Sequence, residues 1–164
     1  MRRAVYAGSF DPPTNGHLWV LKQGARQFEK LIVTIGTNPD KSYTFTEDER
    51  VRMLETLCRW VSRSIEVARL NDDLLVHFDQ KAKAQFLLRG IRNVDDFWRE
   101  MDMRDENYDI DPMIETVLMF PPLELRRISS SFVKGLVKSN RWEERVKKHL
   151  PPHVYEEFVK RFGK

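Results

Sequence analysis

Cysteine is almost missing from this chain: Cys58 stands alone among 164 residues, which excludes an internal disulfide. It falls on the apolar side of an expected helix with no ligand spacing around it, as a core thiol in a reducing compartment would. Long apolar runs are missing too, so no segment reaches the length of a membrane span. Charge of one sign is not in excess, because 28 basic and 25 acidic residues are interspersed and leave a net +3. There is no basic stripe and no interleaved aromatic platform, which argues against a nucleic-acid partner. Repeats, low-complexity tracts and linkers are absent. Met1-Arg2-Arg3 has the charge that opens an export signal, but Asp11, Pro12 and Pro13 break the apolar run behind it, and a cytoplasmic protein is expected. What remains is a 41% hydrophobic chain able to bury one sizeable core, and residues 1–164 are read as a single domain.

Apolar strands and helical periodicities alternate five times along the chain. Arg3-Ala-Val-Tyr-Ala7 and the β-branched Leu31-Ile-Val-Thr-Ile-Gly36 have the continuous apolar character of strands covered on both faces. Ser64 to Leu70, Phe86-Leu-Leu-Arg89 and Thr116-Val-Leu-Met-Phe120 supply three more. Between them, Leu18, Leu21, Ala25 and Phe28 recur at helical spacing. Thr46-x-x-Glu49 forms a capping box ahead of Val51, Leu54, Leu57, Cys58 and Val61. Asn71-Asp72-Asp73 is expected to cap a helix with Leu74, Leu75, Phe78 and Ala82, and Val94, Phe97, Met101 and Tyr108 mark the next, most of whose acids form its solvated face. A last helical region, Trp142 to Arg161, is broken at Pro151-Pro152, and Val154, Phe158 and Phe162 are expected to pack on the sheet or on a neighbouring subunit. The pattern is α/β: a Rossmann-like, doubly wound, five-stranded parallel sheet with C-terminal helices.

Four stretches after strand ends carry candidate chemistry, where such a sheet binds ligands. Gly8-Ser-Phe-Asp-Pro-Pro-Thr-Asn-Gly-His17 joins a strand to a helix, with Asn15 expected as the cap and His17 in the first turn. Free N–H groups and the helix dipole favour an anion there. An ordinary βα turn would use the same glycines and prolines, so the loop alone leaves both readings open. Lys41 follows the turn Thr37-Asn38-Pro39-Asp40 and is either a ligand-binding cation or a solvated loop residue. Arg89-Gly90-Ile91-Arg92 sets two guanidinium groups around a glycine at a strand end, suited to phosphate oxygens or to pairing with Asp95 or Asp96. Ser129-Ser130-Ser131 offers more hydroxyls than one helix cap needs, and with Lys134 is either a second anion site or a redundantly capped helix.

In this order and at these separations, the loop from Gly8 to His17, Lys41, Arg89-Gly-Ile-Arg92 with Asp96-Phe97 and Glu100, and Ile128-Ser-Ser-Ser-Phe-Val-Lys134 resemble the phosphopantetheine adenylyltransferases of coenzyme A biosynthesis. The resemblance spans nearly the whole chain and implies a single nucleotidyltransferase domain that transfers AMP from ATP to 4′-phosphopantetheine. It implies His17, Lys41 and Arg89 as the catalytic set, with His17 stabilising the transition state. Ser9 would contact both substrates, and Phe10 and His17 would line the ATP site. Gly90, Ile91, Arg92, Glu100, Leu125, Arg126, Arg127, Ile128, Ser129, Ser130 and Ser131 would surround the nucleotide. Lys41 and Arg89 would hold the acceptor's phosphate, and Leu75 and Asn107 its arm. It further implies magnesium on the ATP phosphates, a homohexamer, and coenzyme A as a feedback ligand.

The chemistry agrees with that resemblance. An acceptor phosphate must be set in line with the α-phosphate of ATP, and cations must offset the repulsion between the two. No nucleophilic side chain is required. The chain departs from the family pattern at Gly135 and Ser139, where glutamate and histidine are usual, at Arg99, where tyrosine is usual, and at Trp142-Glu-Glu-Arg-Val-Lys-Lys. These departures bear on the acceptor side and leave the nucleotide half intact. The alternatives are a nucleotidyltransferase of the same fold with nicotinamide mononucleotide, glycerol phosphate or a flavin as acceptor, and a catalytically weak nucleotide or coenzyme A binding protein.

Overall fold

The computed structural model describes residues 1–36, 41–70 and 75–163. The turn at 37–40 and the cap and first apolar position at 71–74, both read from sequence, lie outside the described residues. The elements in order are β1 (Arg3–Gly8), α1 (Asn15–Gln27), β2 (Lys30–Ile35), α2 (Glu47–Val61), β3 (Ile65–Arg69), α3 (Leu75–Ala82), β4 (Phe86–Gly90), α4 (Val94–Ile110) and β5 (Glu115–Met119). A 3₁₀ turn at Leu123–Leu125, α5 (Ser130–Leu136), α6 (Trp142–Lys147) and α7 (Pro152–Phe162) follow. All five expected strands form, within a residue of their expected ends.

The sheet is parallel throughout, in the order β3-β2-β1-β4-β5. The chain therefore builds outward from β1 in one direction, returns, and builds outward in the other. The strand order reverses between β1 and β4, which pair through Ala4 with Phe86 and Val5 with Leu87. Loops leaving those two strands must part to opposite faces, and the parting opens a crevice beyond Gly8 and Gly90.

Side chains alternate between faces, as strand geometry dictates. Ala4, Tyr6, Leu31, Val33 and Ile35 join Leu21 of α1 and Leu54 and Leu57 of α2 in one buried layer. Val5, Ile32 and Leu87 face the other way, against Leu75, Phe78 and Ala82 of α3. Helix α1 lies close to the sheet because Gly24 has no side chain: a Cβ there would meet Leu31 Cδ2 and Leu88 Cδ2 at 2.9 Å. The capping box of α2 forms as read, with Thr46 accepting from the Glu49 N–H and Glu49 from the Thr46 N–H. The C-terminal helices do not pack on the sheet as expected. Val154 and Phe158 join Phe45, Met53, Ile128, Val133, Val146 and Leu150 in a separate core, with Phe162 against it, because α5, α6 and α7 supply enough apolar surface to enclose one another.

Helix α3 carries an anomaly. Asp79 is fully buried, and among the described residues neither carboxylate oxygen has a hydrogen-bond partner. Burial pushes its carboxyl up from 3.8 to about 8, so the folded chain holds a proton there at neutral pH that the unfolded chain releases. Stability contributed at this position therefore falls as pH rises from 3.8 to about 8, by about 1.4 kcal/mol per pH unit. The expected outcome is that Asp79→Asn, followed by urea denaturation from pH 5 to 9, lacks this decline and gains on the native chain as pH rises; parallel curves would contradict the burial of a protonated carboxyl.

Candidate functional site

The crevice beyond β1 and β4 is a cavity of about 530 Å³. Ala7, Gly8 and Ser9 enter from β1, Gly16, His17 and Val20 from α1, Lys41 from the loop after β2, and Arg89, Gly90 and Arg92 from the end of β4. Asp96, Arg99, Glu100 and Met103 descend from α4, and Pro121, Leu125, Ile128 and the three serines close the last side. The four stretches read as candidates in sequence thus meet in one place.

The loop from Gly8 to His17 is held from beneath. Phe10 adopts a positive φ of 47° and turns its ring into the core, 5.4 Å from Tyr6 and 5.0 Å from the His17 ring. Its side chain therefore does not line the cavity, contrary to the implied role; it is the platform on which His17 rests. Arg50, almost fully buried on α2, donates from Nη1 to the Ser9 carbonyl at 2.7 Å and lies 4.2 Å over the Tyr43 ring. Asp11 makes the most connections. Its Oδ1 accepts the Phe45 N–H at 2.9 Å, and its Oδ2 accepts the Thr44 N–H at 3.0 Å and the Lys134 ammonium at 2.7 Å. Two loops and helix α5 are tied at one carboxylate.

Thr14, not Asn15, caps α1. Asn15 is the first helical residue, and its side chain and N–H donate to the carbonyls of Lys148 and His149. The cap is completed by His17, whose Nδ1 accepts the Thr14 N–H at 2.9 Å. That bond fixes the tautomer: Nδ1 is the acceptor, so the ring proton is on Nε2. Burial, reinforced by the nearby Arg92, pushes the imidazole down from 6.5 to about 4. His17 is a neutral ring with one N–H to donate.

The arginines at the end of β4 line the cavity while paired with α4. Arg89 donates from Nε and Nη2 to both oxygens of Glu100 at 2.6 and 2.7 Å, and from Nη1 to the Ala7 carbonyl at 3.0 Å. Arg92 closes on Asp96 through its N–H, Nε and Nη2 at 2.9 to 3.1 Å, and Arg99 adds a fourth bond at 2.8 Å. Asp96 is therefore buried rather than on a solvated face, since α4 turns this acid toward the cations it must neutralise. Burial alone would raise its carboxyl, but the hydrogen bonds from Arg92 and Arg99 outweigh that and hold it below its ordinary value. Four cations, Lys41, Arg89, Arg92 and Arg99, thus face two carboxylates in the cavity wall. Its surplus is positive.

The serine stretch is partly spoken for. Ser129 caps α5 by accepting the Phe132 N–H at 3.0 Å, and Ser130 donates to the Pro12 carbonyl at 2.8 Å. Lys134 does not join an anion site, because Asp11 takes its ammonium. Five more implied residues lie away from the cavity lining. Ile91 is buried in the core, and Arg126 and Arg127 are exposed on the turn before Ile128. Leu75 packs on the α3 face of the sheet. Asn107 lies near the far end of α4, where its carbonyl accepts the Asp111 N–H. Sequence reading passed over Asp11 as a tie, Arg50, Thr14 as a cap, and Met103; only Thr14 carried a local signal, its capping side chain. Among the described residues no three His, Cys, Asp or Glu side chains converge into a metal cage, and Asp96 and Glu100 are occupied by guanidinium groups, so the residues present do not fit a resident metal ion.

Residues 5–136 match the cytidylyltransferase-like family model. A phosphopantetheine adenylyltransferase of Chromobacterium violaceum is 41% identical over 99% of both chains. One of Neisseria meningitidis serogroup C is 44% identical over 96% of this chain and 92% of its own. Among solved structures, the nicotinic acid mononucleotide adenylyltransferase of Plasmodium falciparum complexed with NaAD aligns with a TM-score of 0.74, covering 97% of this chain and 95% of that one, at 20% identity, a likeness of fold.

Two outcomes are expected from the site's geometry. Lys134→Met leaves the Asp11 carboxylate, only 4% exposed, without its cation and costs about 3 kcal/mol in chemical denaturation, part of which returns in Asp11→Asn/Lys134→Met. The His17 imidazole, followed by NMR, stays neutral from pH 5.5 to 8; a midpoint near 6.5 would contradict its burial against Arg92.

Proposed function

The chain belongs to the cytidylyltransferase-like family and, within it, to the phosphopantetheine adenylyltransferases, and from that premise we propose that it transfers AMP from ATP to 4′-phosphopantetheine, giving dephospho-coenzyme A and pyrophosphate. The observation that carries the reading is the meeting, at the β1/β4 reversal, of a neutral His17 donor with cations arriving from two other strand ends. Two phosphates must approach within bonding distance, and the surplus positive charge of the wall favours that approach. Lys41 and Arg89 hold the acceptor phosphate. The Nε2–H of His17 donates to the α-phosphate, where charge builds as the acceptor oxygen attacks and pyrophosphate departs. A neutral donor suits this task, because it needs no proton from solvent and keeps its proton through the reaction. Arg92, Ser129, Ser130 and Ser131 serve the departing phosphates, and Ser9 lies between the two substrates. Positioning carries the rate, since the acceptor is already an anion.

Magnesium is proposed as an ion that arrives on the ATP phosphates, where it would neutralise charge, with no resident cage in the protein. The acceptor's arm finds fewer polar partners than the family pattern provides: a Cβ at Gly135 would meet nothing within 4 Å, and Ser139 Oγ is used by the Leu136 carbonyl at 2.7 Å. Coenzyme A, which contains both the nucleotide and the arm, is the proposed competing ligand. Exposed apolar side chains on and beyond α4, Trp98, Tyr108, Ile110, Met113 and Phe120, support self-association, with a homohexamer as the proposed state. No helix among the described residues is long and apolar enough to cross a membrane, and the cytoplasm is the proposed location.

Pyrophosphate release from ATP and magnesium, measured over a panel of phosphate acceptors, tests the reading. Release is expected with 4′-phosphopantetheine; release only with nicotinamide mononucleotide, glycerol phosphate or a flavin acceptor would overturn it. In the same assay His17→Ala is expected to lower kcat by about a hundredfold to a thousandfold while ATP binding changes little, the loss typical of one transition-state donor. Equal losses in both would make His17 a binding residue only.

A further inference from the structure

Arg89 and Arg92 are paired in different ways. Arg89 is bound to Glu100 by two bonds and to the Ala7 carbonyl by a third, and each Glu100 oxygen accepts from Arg89. Asp96 has two arginines. Its Oδ1 accepts from Arg92 Nη2 at 3.1 Å and Arg99 Nη2 at 2.8 Å, while its Oδ2 accepts from the Arg92 backbone N–H at 3.1 Å and Nε at 2.9 Å. Were the Arg92 guanidinium to turn away, each oxygen would keep one donor, Arg99 on Oδ1 and the Arg92 N–H on Oδ2. The Asp96 side chain is only 10% exposed, and a carboxylate so placed is costly to leave without a cation. Arg99 itself is 71% exposed, lines the cavity, and is not needed to neutralise Asp96 while Arg92 is there.

We infer that Arg99 is a counter-ion substitute: it neutralises Asp96 when the Arg92 guanidinium leaves that carboxylate for the phosphates of a polyphosphate ligand. The inference rests on the reading of the cavity as a nucleotide site and adds a determinant of affinity that the site assignment does not contain. Arg92 approaches the ligand at little cost in unpaired charge, whereas Arg89, whose carboxylate has no second guanidinium, stays fixed. A tyrosine at position 99, usual in the family, could donate to Asp96 but could not neutralise it.

Calorimetric binding of inorganic tripolyphosphate tests the exchange apart from turnover. Arg99→Tyr is expected to weaken binding by about tenfold, the order set by leaving a buried charged acceptor short of a donor, and Arg99→Lys to retain most of it. In an Asp96→Asn background, where no charge is left to neutralise, Arg99→Tyr is expected to have little effect. A tenfold loss that persists in that background would mean that Arg99 touches the ligand directly and would overturn the exchange, as would full affinity in Arg99→Tyr. Side-chain NMR of the Arg92 Nε–H in the unsubstituted protein gives an independent readout, since tripolyphosphate should shift it and an unmoved signal overturns the exchange. If the unsubstituted protein bound neither tripolyphosphate nor ATP, the nucleotide reading of the cavity would itself fall, whereas normal ATP binding with no Arg99 effect removes the exchange alone.

Discussion

The Asp11 carboxylate is the constraint on which the cavity depends. A buried anion must be met by donors from all sides, and here the donors are two amides of the loop following Lys41 and the ammonium of α5. Satisfying that one charge forces three strand-end segments into contact: the loop that carries His17, the loop that carries Lys41 and the helix that follows the serines. Arg50 adds a second tie, holding the Ser9 carbonyl from below. None of the three segments can shift without uncovering a charge or a buried amide, which is what preorganisation requires of a site that works by position.

The electrostatics of the cavity follow from the same economy. Its arginines are ordered by carboxylates of α4, so they do not need a ligand to define them, yet the wall keeps more positive than negative groups. Adding a protonated imidazole to that wall would be costly, and burial with Arg92 nearby keeps His17 neutral. The neutral ring is then useful because the Thr14 N–H occupies Nδ1, leaving Nε2 with the proton. A helix cap and a donor tautomer are thus one interaction, and the residue that caps α1 also decides what His17 can do.

Much of the fold was legible because apolar periodicity is a local property. The five strands, the capping box of Thr46 and Glu49, and the break at Pro151-Pro152 all follow from neighbours in sequence. The convergence of His17, Lys41, Arg89, Arg92 and the serines was legible at one remove, since a parallel sheet brings its strand ends to one edge. What was not legible depends on direction or on long-range pairing. Thr14 and Asn15 are both good caps, and the choice between them depends on the neighbouring His149 carbonyl and His17 ring. Phe10 lies in the motif but turns inward, because a positive φ points its ring under Gly8. Arg126 and Arg127 adjoin the lining residue Ile128, yet the 3₁₀ turn leaves them outside. Lys134 and Asp11 lie 123 residues apart, and no local pattern announces their pairing.

The two faces of the sheet contribute unequally to holding this arrangement. On one, α1 and α2 bury a continuous apolar layer, brought close by Gly24, and deliver both His17 and Arg50 to the loop. On the other, α3 covers Val5 and Leu87, the residues in register across the β1/β4 reversal, but places Asp79 where no partner among the described residues meets it. A protonated carboxyl is tolerated there as a poorly solvated polar group; an ionised one is not. The support behind the reversal on that face therefore weakens at the alkaline end, while the ties that define the cavity, Asp11 with its amides and Lys134 and Arg50 with Ser9, lie with the α1 and α2 side. The unpaired carboxyl is thereby kept to α3, which supplies no described lining residue, while the carboxylates that α4 brings to the cavity wall are paired with arginines.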